Sequence, residues 1–215
     1  MTYSQIIVLG IEMIGTIAFA SSGAMVGIKK NMDIFGVVVL AITTAVGGGM
    51  IRDMILGIHP PMVFRNGIYV GVSIVTACLL FVVVYMNRKV LSSHLMEQYE
   101  RVMMIMDAIG LGAFTVIGIN TALGVSKETS VFLLIFVGAV TGIGGGMLRD
   151  IMAGMTPYVF VKHVYASASI VGAIVCIFLR LFMSNGNAMI IGAFAVVLLR
   201  YLAAHYKWNL PRINP

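Results

Sequence analysis

Seven runs of about twenty predominantly apolar residues leave this chain few ways to fold. They cover roughly residues 5–27, 34–58, 66–86, 102–124, 130–154, 161–183 and 187–206. Each is long enough to cross the hydrocarbon core of a bilayer as a helix. No water reaches that depth to satisfy backbone N–H and C=O groups, so elements that bond internally are required. The charge content agrees: 10% of the 215 residues are charged, against about 25% in soluble domains. The mean hydropathy is +1.03. The expected fold is an all-α integral membrane protein with seven transmembrane helices. The first run lacks the basic start and cleavage site of a secretory signal, so it is read as a mature helix.

The second run contains Gly47-Gly48-Gly49-Met50-Ile51-Arg52-Asp53, and the fifth contains Gly144-Gly145-Gly146-Met147-Leu148-Arg149-Asp150. The likeness extends to both sides. Glu12 matches Asp107, Ala18-Phe19 matches Ala113-Phe114, and Gly23 matches Gly118. Further on, Gly57 matches Gly154, Tyr69 matches Tyr165, and Ser73 matches Ser169. Each unit holds three spans, an odd number, so the second enters the membrane the opposite way up. This is an inverted-topology repeat with a seventh helix left over. The expected division is 1–86 for the first repeat, 87–101 for a connecting loop and 102–183 for the second repeat. Residues 184–215 then hold the seventh helix and a cytoplasmic tail. Ser126 or Lys127 is expected near the cap of the fifth helix.

A glycine inside a helix costs about 0.5–1 kcal/mol relative to alanine. An arginine or aspartate at the bilayer centre costs about 2.5–3.5 kcal/mol on insertion scales. A simple membrane anchor needs neither. One triplet alone suits close helix packing. Two triplets in matching mid-membrane positions, each followed by Arg-Asp, favour a break in the helix whose bare carbonyls line a path. The candidate pore and gate residues are therefore Gly47, Gly48, Gly49, Arg52, Asp53, Gly144, Gly145, Gly146, Arg149 and Asp150. Sequence neighbours point about 100° apart on a helix, so each arginine is expected to pair across the bundle rather than with the adjacent aspartate. The opposite repeat, Glu12 and Asp107 are the expected partners. Those two acids are also candidate cation contacts, and they equally suit helix-start carboxylates favoured by the macrodipole. Lys127 lies in a polar turn and is a candidate lipid contact.

Lysine and arginine set the orientation. Lys29, Lys30, Arg88, Lys89, Arg101, Lys162, Arg200, Lys207 and Arg212 fall on one side, and Arg65, Lys127 and Arg180 on the other. That excess puts the amino terminus outside and the carboxyl terminus in the cytoplasm. The net charge of +6 thus reflects topology, and no nucleic-acid partner is expected. Cys78 and Cys176 are expected to be buried free thiols. His59, His94, His163 and His205 lack metal-ligand spacing, and no nucleotide-binding, metalloprotease or nucleophile-elbow motif is present. Neither an enzyme, a cofactor, a resident metal nor an ATP-driven pump is expected. What remains is passive or ion-coupled movement of a solute across a membrane.

With its doubled Gly-Gly-Gly-x-x-Arg-Asp followed by glycine, proline and phenylalanine, the chain resembles the prokaryotic trimeric intracellular cation (TRIC) channel family. Bacterial members are also grouped as a glycine transporter family. The resemblance covers nearly the whole chain. It implies a homotrimer with one ion path through each subunit, bounded by kinked second and fifth helices at Gly47–Gly49 and Gly144–Gly146. It implies that Arg52 and Arg149 bear on conduction, and that the permeant ions are monovalent cations, chiefly potassium with some sodium. Animal relatives have a Lys-Glu-Val element that contacts phosphoinositides. Here Lys127-Glu128 is followed by Thr129, so that role is not carried over. A basic lining also suits the carboxylate of a small zwitterion, which keeps transport of glycine or another small amino acid as the alternative.

Overall fold

The computed structural model describes residues 3–87, 93–125, 129–161 and 164–208. Its helices are α1 (Tyr3–Lys29), α2 (Ile34–Ile55), α3 (Met62–Arg65), α4 (Ile68–Met86) and α5 (Ser93–Val125). They continue with α6 (Val131–Met152), α7 (Tyr158–Val161), α8 (Ala166–Leu179) and α9 (Asn185–His205). Six are long and apolar enough to cross a membrane: α1, α2, α4, α6, α9 and the Glu97–Val125 part of α5. The seventh apolar segment, α8, has 14 residues. It rises about 21 Å, short of the roughly 30 Å hydrocarbon core.

The described helices depart from the expected boundaries at three places. The third and sixth runs are each preceded by a separate short helix, α3 or α7. Asn66 interrupts the first of these, its Oδ1 accepting from the Ile68 N–H at 3.1 Å. Val164, with φ at 52°, stands before α8 in the left-handed region, which a right-handed helix cannot pass through. The expected loop over 87–101 is helical from Ser93. Tyr99 Oη donates to the Met25 carbonyl at 2.7 Å, and Lys29 pairs with Glu100, which fastens this extension to the end of α1. Cys78 and Cys176 are free, the first half-buried and the second buried.

The α2 and α6 termini repeat one design. Asp33 Oδ1 accepts from the Gly36 N–H at 2.7 Å, and Ser130 Oγ accepts from the Leu133 N–H at 3.1 Å. Ser130 therefore caps α6, in place of the expected Ser126 or Lys127, because it directly precedes the first helical residue. Ser126 and Lys127 lie outside the described residues. At the other ends, Gly57 (φ 70°) and Gly154 (φ 64°) take the left-handed conformation. Each closes a Schellman turn: Ile58 N–H donates to the Asp53 carbonyl at 2.8 Å and Met155 N–H to the Asp150 carbonyl at 2.9 Å. Losing either N-cap, in Asp33→Ala or Ser130→Ala, is expected to cost about 0.5–2 kcal/mol. Thermal unfolding in detergent measures it.

Lipid tails are as apolar as leucine, so helices in a bilayer associate through close packing rather than hydrophobic burial. Small residues supply that approach at every main crossing. A Cβ on Gly23 would stand 2.8 Å from the Ala41 Cα, and one on Gly118 would stand 2.9 Å from the Val137 carbonyl oxygen. These are the α1–α2 and α5–α6 crossings, images of each other in the two repeats. In the middle, α2 crosses α6. There a Cβ on Gly48 would overlap the Thr141 carbonyl oxygen, and one on Gly145 would overlap the Thr44 carbonyl oxygen. Phe19 and Phe114, also repeat images, stack beside this point with ring centroids 5.3 Å apart. The approximate twofold axis runs here. Helix α9 belongs to neither repeat and lies on α5 and α8, over Gly112 and Gly172.

Candidate ion-pathway site

The glycine triplets are not breaks. Both α2 and α6 run unbroken through them, which corrects the expectation of interrupted backbone. The close crossing explains them better: the central glycine of each triplet is where the two helices touch. The flanking glycines have other neighbours. A Cβ on Gly47 would stand 2.6 Å from the Leu148 side chain, and one on Gly144 would stand 3.1 Å from the Gly48 Cα. Gly146 lies under the Tyr165 hydroxyl, 2.7 Å from where its Cβ would be, while Gly49 meets only the Arg52 guanidinium, at 3.7 Å.

Each arginine does pair with the aspartate beside it, contrary to the expectation from helical geometry. Arg52 Nε donates to Asp53 Oδ1 at 2.8 Å, and Arg149 Nε donates to Asp150 Oδ1 at 2.8 Å. The arginine side chain is long enough to curl back over the 100° or so between neighbours. The aspartates are held in place by a second bond. Asp53 Oδ2 accepts from the Met62 N–H at 2.7 Å, and Asp150 Oδ2 accepts from the Tyr158 N–H at 2.8 Å. Those amides open α3 and α7, where backbone donors lack intrahelical partners. Each aspartate thus ties its arginine to the short helix that follows.

The two half-sites then diverge. In the second repeat Arg149 also reaches across the bundle, as expected. Its Nη1 donates to Asp107 Oδ1 and to Ser22 Oγ, both at 2.5 Å. Its guanidinium stands 5.2 Å from the Tyr158 ring centroid. Burial pushes the Tyr158 phenol above its ordinary pKa, so it stays neutral at physiological pH. Arg200 of α9 lies over the Tyr165 ring at 4.6 Å and 3.9 Å from Asp107 Oδ2. Asp107, Arg149 and Asp150 are all 0% exposed.

The first repeat places Glu12 where the second has Asp107, yet Glu12 forms no ion pair with Arg52 among the described residues. Its carboxylate accepts from Tyr69 Oη at 2.6 Å, and Arg52 keeps Asp53 and a long contact to Met62 Sδ at 3.8 Å. A cavity of about 60 Å³ remains, lined by Glu12, Thr16, Gly49, Arg52, Asp53 and Tyr69 among others. At the opposite end of the bundle a larger recess of about 400 Å³ is lined by Lys29, Glu100, Arg101, Tyr158, Arg200 and Lys207 among others. The fully buried Arg149 cluster lies between the two spaces.

The predicted charged residues therefore assemble into two clusters related by the repeat, and Lys127 lies outside the described residues. Sequence reasoning missed Ser22, Tyr158 and Arg200. Arg200 enters the sequence reading only as one of the cations that set the orientation, and it is 4% exposed. Its signal was legible in Leu198-Leu199-Arg200-Tyr201-Leu202, an arginine flanked by apolar residues on both sides. Tyr69 and Tyr165 were visible as a matched pair, without a role attached.

Two inverted repeats of apolar helices, each carrying a buried arginine–aspartate pair, define a multi-pass helical membrane protein with a polar axis. The chain belongs to the family described as glycine transporter, whose model matches it twice, at residues 9–85 and 104–180. Among its relatives, a UPF0126 membrane protein of Vibrio cholerae is 36% identical over 202 residues, covering 94% of this chain and 80% of the relative. The UPF0126 inner membrane protein YadS of Escherichia coli is 33% identical over 207 residues, covering 95% of both. Solved structures share the fold. One described as a prokaryotic TRIC channel in 0.5 M KCl has a TM-score of 0.85 at 30% identity, covering 96% of this chain and 100% of that one. A TRIC cation channel structure solved to explain conductance gives 0.80 at 34% identity, with coverage of 95% and 96%. The trimeric intracellular cation channel orthologue of Rhodobacter sphaeroides gives 0.81 at 29%, with coverage of 94% and 98%.

Proposed function

We propose that this chain conducts monovalent cations, chiefly potassium with some sodium, through a pore in each subunit of a homotrimer. It acts in the inner (plasma) membrane with its amino terminus outside and its carboxyl terminus in the cytoplasm. The likeness to TRIC cation channels along nearly the full chain supports the class. The observation that carries the cation preference is the unequal charge of the two half-sites. In the second, Arg149 and Arg200 balance Asp107 and Asp150. In the first, Arg52 is spent on Asp53, and Glu12 is left with a phenol. The half-site that lines the cavity of about 60 Å³ thus carries a net negative charge, one more carboxylate than arginine. Charge placed along a low-dielectric path acts strongly on an ion there.

The test uses purified protein in liposomes with a potassium gradient, read by a voltage-sensitive dye and by single-channel recording. Discrete potassium currents insensitive to glycine are expected, and Glu12→Gln is expected to lower unitary conductance by about tenfold. Saturable exchange of labelled glycine with no potassium current would replace this reading with a transporter of small neutral amino acids.

A further inference from the structure

Met62 opens α3 and makes two contacts at the first half-site. Its N–H donates to Asp53 Oδ2 at 2.7 Å, and its Sδ stands 3.8 Å from Arg52 Nη2. The residue lines the Glu12 cavity and is 46% exposed. Its repeat image is Tyr158, whose N–H holds Asp150 and whose ring faces Arg149. Both repeats thus set an electron-rich group beside the arginine. In the second it is an aromatic ring, and in the first it is a thioether at a cavity. A thioether is a weak acceptor as it stands, and it takes up an oxygen atom reversibly.

We propose that Met62 is a modification site, oxidised to the sulfoxide by a peroxide, and that the product sets how firmly Arg52 is held. Its effect on current rests on the channel reading above, whereas the modification itself does not. The sulfur lone pair attacks one peroxide oxygen, so that an S–O bond forms and the O–O bond breaks. The thioether loses two electrons and the peroxide is reduced to water, the proton of the transferred oxygen going to the departing hydroxide. The Arg52 Nη2 group lies beside the sulfur and can donate to that departing oxygen as negative charge builds on it. Exposure alone does not select Met62, since Met54 and Met86 are 65% and 81% exposed. The guanidinium and the polar cavity do. In the orientation proposed above, α3 lies at the outer face, where peroxide arrives without crossing the membrane. The product then changes the half-site. A sulfoxide is polar where the thioether was apolar, and its oxygen extends from Sδ toward Arg52. Arg52 gains a second anchor besides Asp53, and the cavity loses room.

Wild type and Met62→Leu in potassium-loaded liposomes are treated with dilute hydrogen peroxide, then with both epimer-specific methionine sulfoxide reductases. Peptide mass spectrometry follows each methionine while single-channel recording follows the current. Met62→Leu keeps the amide that holds Asp53 and removes the sulfur. Met62 is expected to gain oxygen ahead of Met54 and Met86. Mean wild-type current is expected to fall roughly tenfold, the scale of one charge-assisted hydrogen bond. The reductases are expected to restore it, and Met62→Leu is expected to keep its own current through the treatment. Oxidation of Met62 no faster than that of Met54 and Met86 overturns the site, whether or not the protein conducts. A sulfoxide at Met62 with unchanged wild-type current, or an equal loss in Met62→Leu, overturns its control of conduction. A wild type silent before treatment overturns the channel reading, and the mass spectra still decide the modification.

Discussion

Gly145→Ala is expected to yield little assembled protein, Gly48→Ala the same, and Gly49→Ala a protein at least as stable as wild type. The three positions share one residue type and, in two cases, one triplet, so the contrast isolates packing from helix propensity. Propensity alone favours alanine everywhere, by about 0.5–1 kcal/mol. At Gly145 and Gly48 the new methyl meets a backbone carbonyl of the facing helix, Thr44 or Thr141. A side chain can rotate away, but a carbonyl in a helix can only move with its helix. Overpacking of that kind costs about 3 kcal/mol, and here it forces apart the α2–α6 crossing at the centre of the contact between the two repeats. At Gly49 the nearest neighbour is the tip of Arg52 at 3.7 Å, ordinary contact with a flexible group. Monodisperse yield and thermal unfolding in detergent read out all three. Equal loss at Gly49 would mean that the triplet acts through backbone freedom, and the crossing would no longer explain it.

That contrast marks the limit of what the sequence made legible. The spans, the inverted repeat and the identity of the charged residues all follow from hydropathy and from a motif written twice. A triplet of glycines, however, has the same letters whether it opens a helix or lets another helix touch it. Deciding between them takes the partner, and Thr44 and Thr141 are ninety-seven positions apart. The arginine–aspartate pairing failed for a related reason. Helical angles describe where Cβ atoms point, whereas an arginine head group is several bonds further out and goes where an acceptor is fixed. The acceptors were fixed by the first amides of α3 and α7, short helices that hydropathy does not resolve. Ser22 lies in an apolar helix with no charged residue near it in sequence, and only the fold brings Arg149 to it.

Asp107→Asn is expected to be the most damaging single charge change, and adding Arg200→Gln is expected to recover part of the loss. Asp107 is 0% exposed and faces two arginines. Neutralising it leaves two arginines, Arg149 and Arg200, against Asp150 alone, with one positive charge unbalanced in a buried site. Breaking a buried pair by removing one partner costs about 3–5 kcal/mol, mostly from the charge left behind. Glu12→Gln in the other half-site makes the control. It removes a half-buried carboxylate bonded to Tyr69 beside a cavity, and about 1 kcal/mol is expected from that one hydrogen bond. Adding Arg200→Gln to Asp107→Asn restores neutrality, Arg149 against Asp150, so the two losses are expected to fall short of additivity by about 0.5–3 kcal/mol. Unfolding of the two singles and the double, measured together, gives that coupling. Strict additivity would mean that Arg200 and Asp107 do not act on each other, and the charge balance assigned to the second half-site would have to be redrawn without α9.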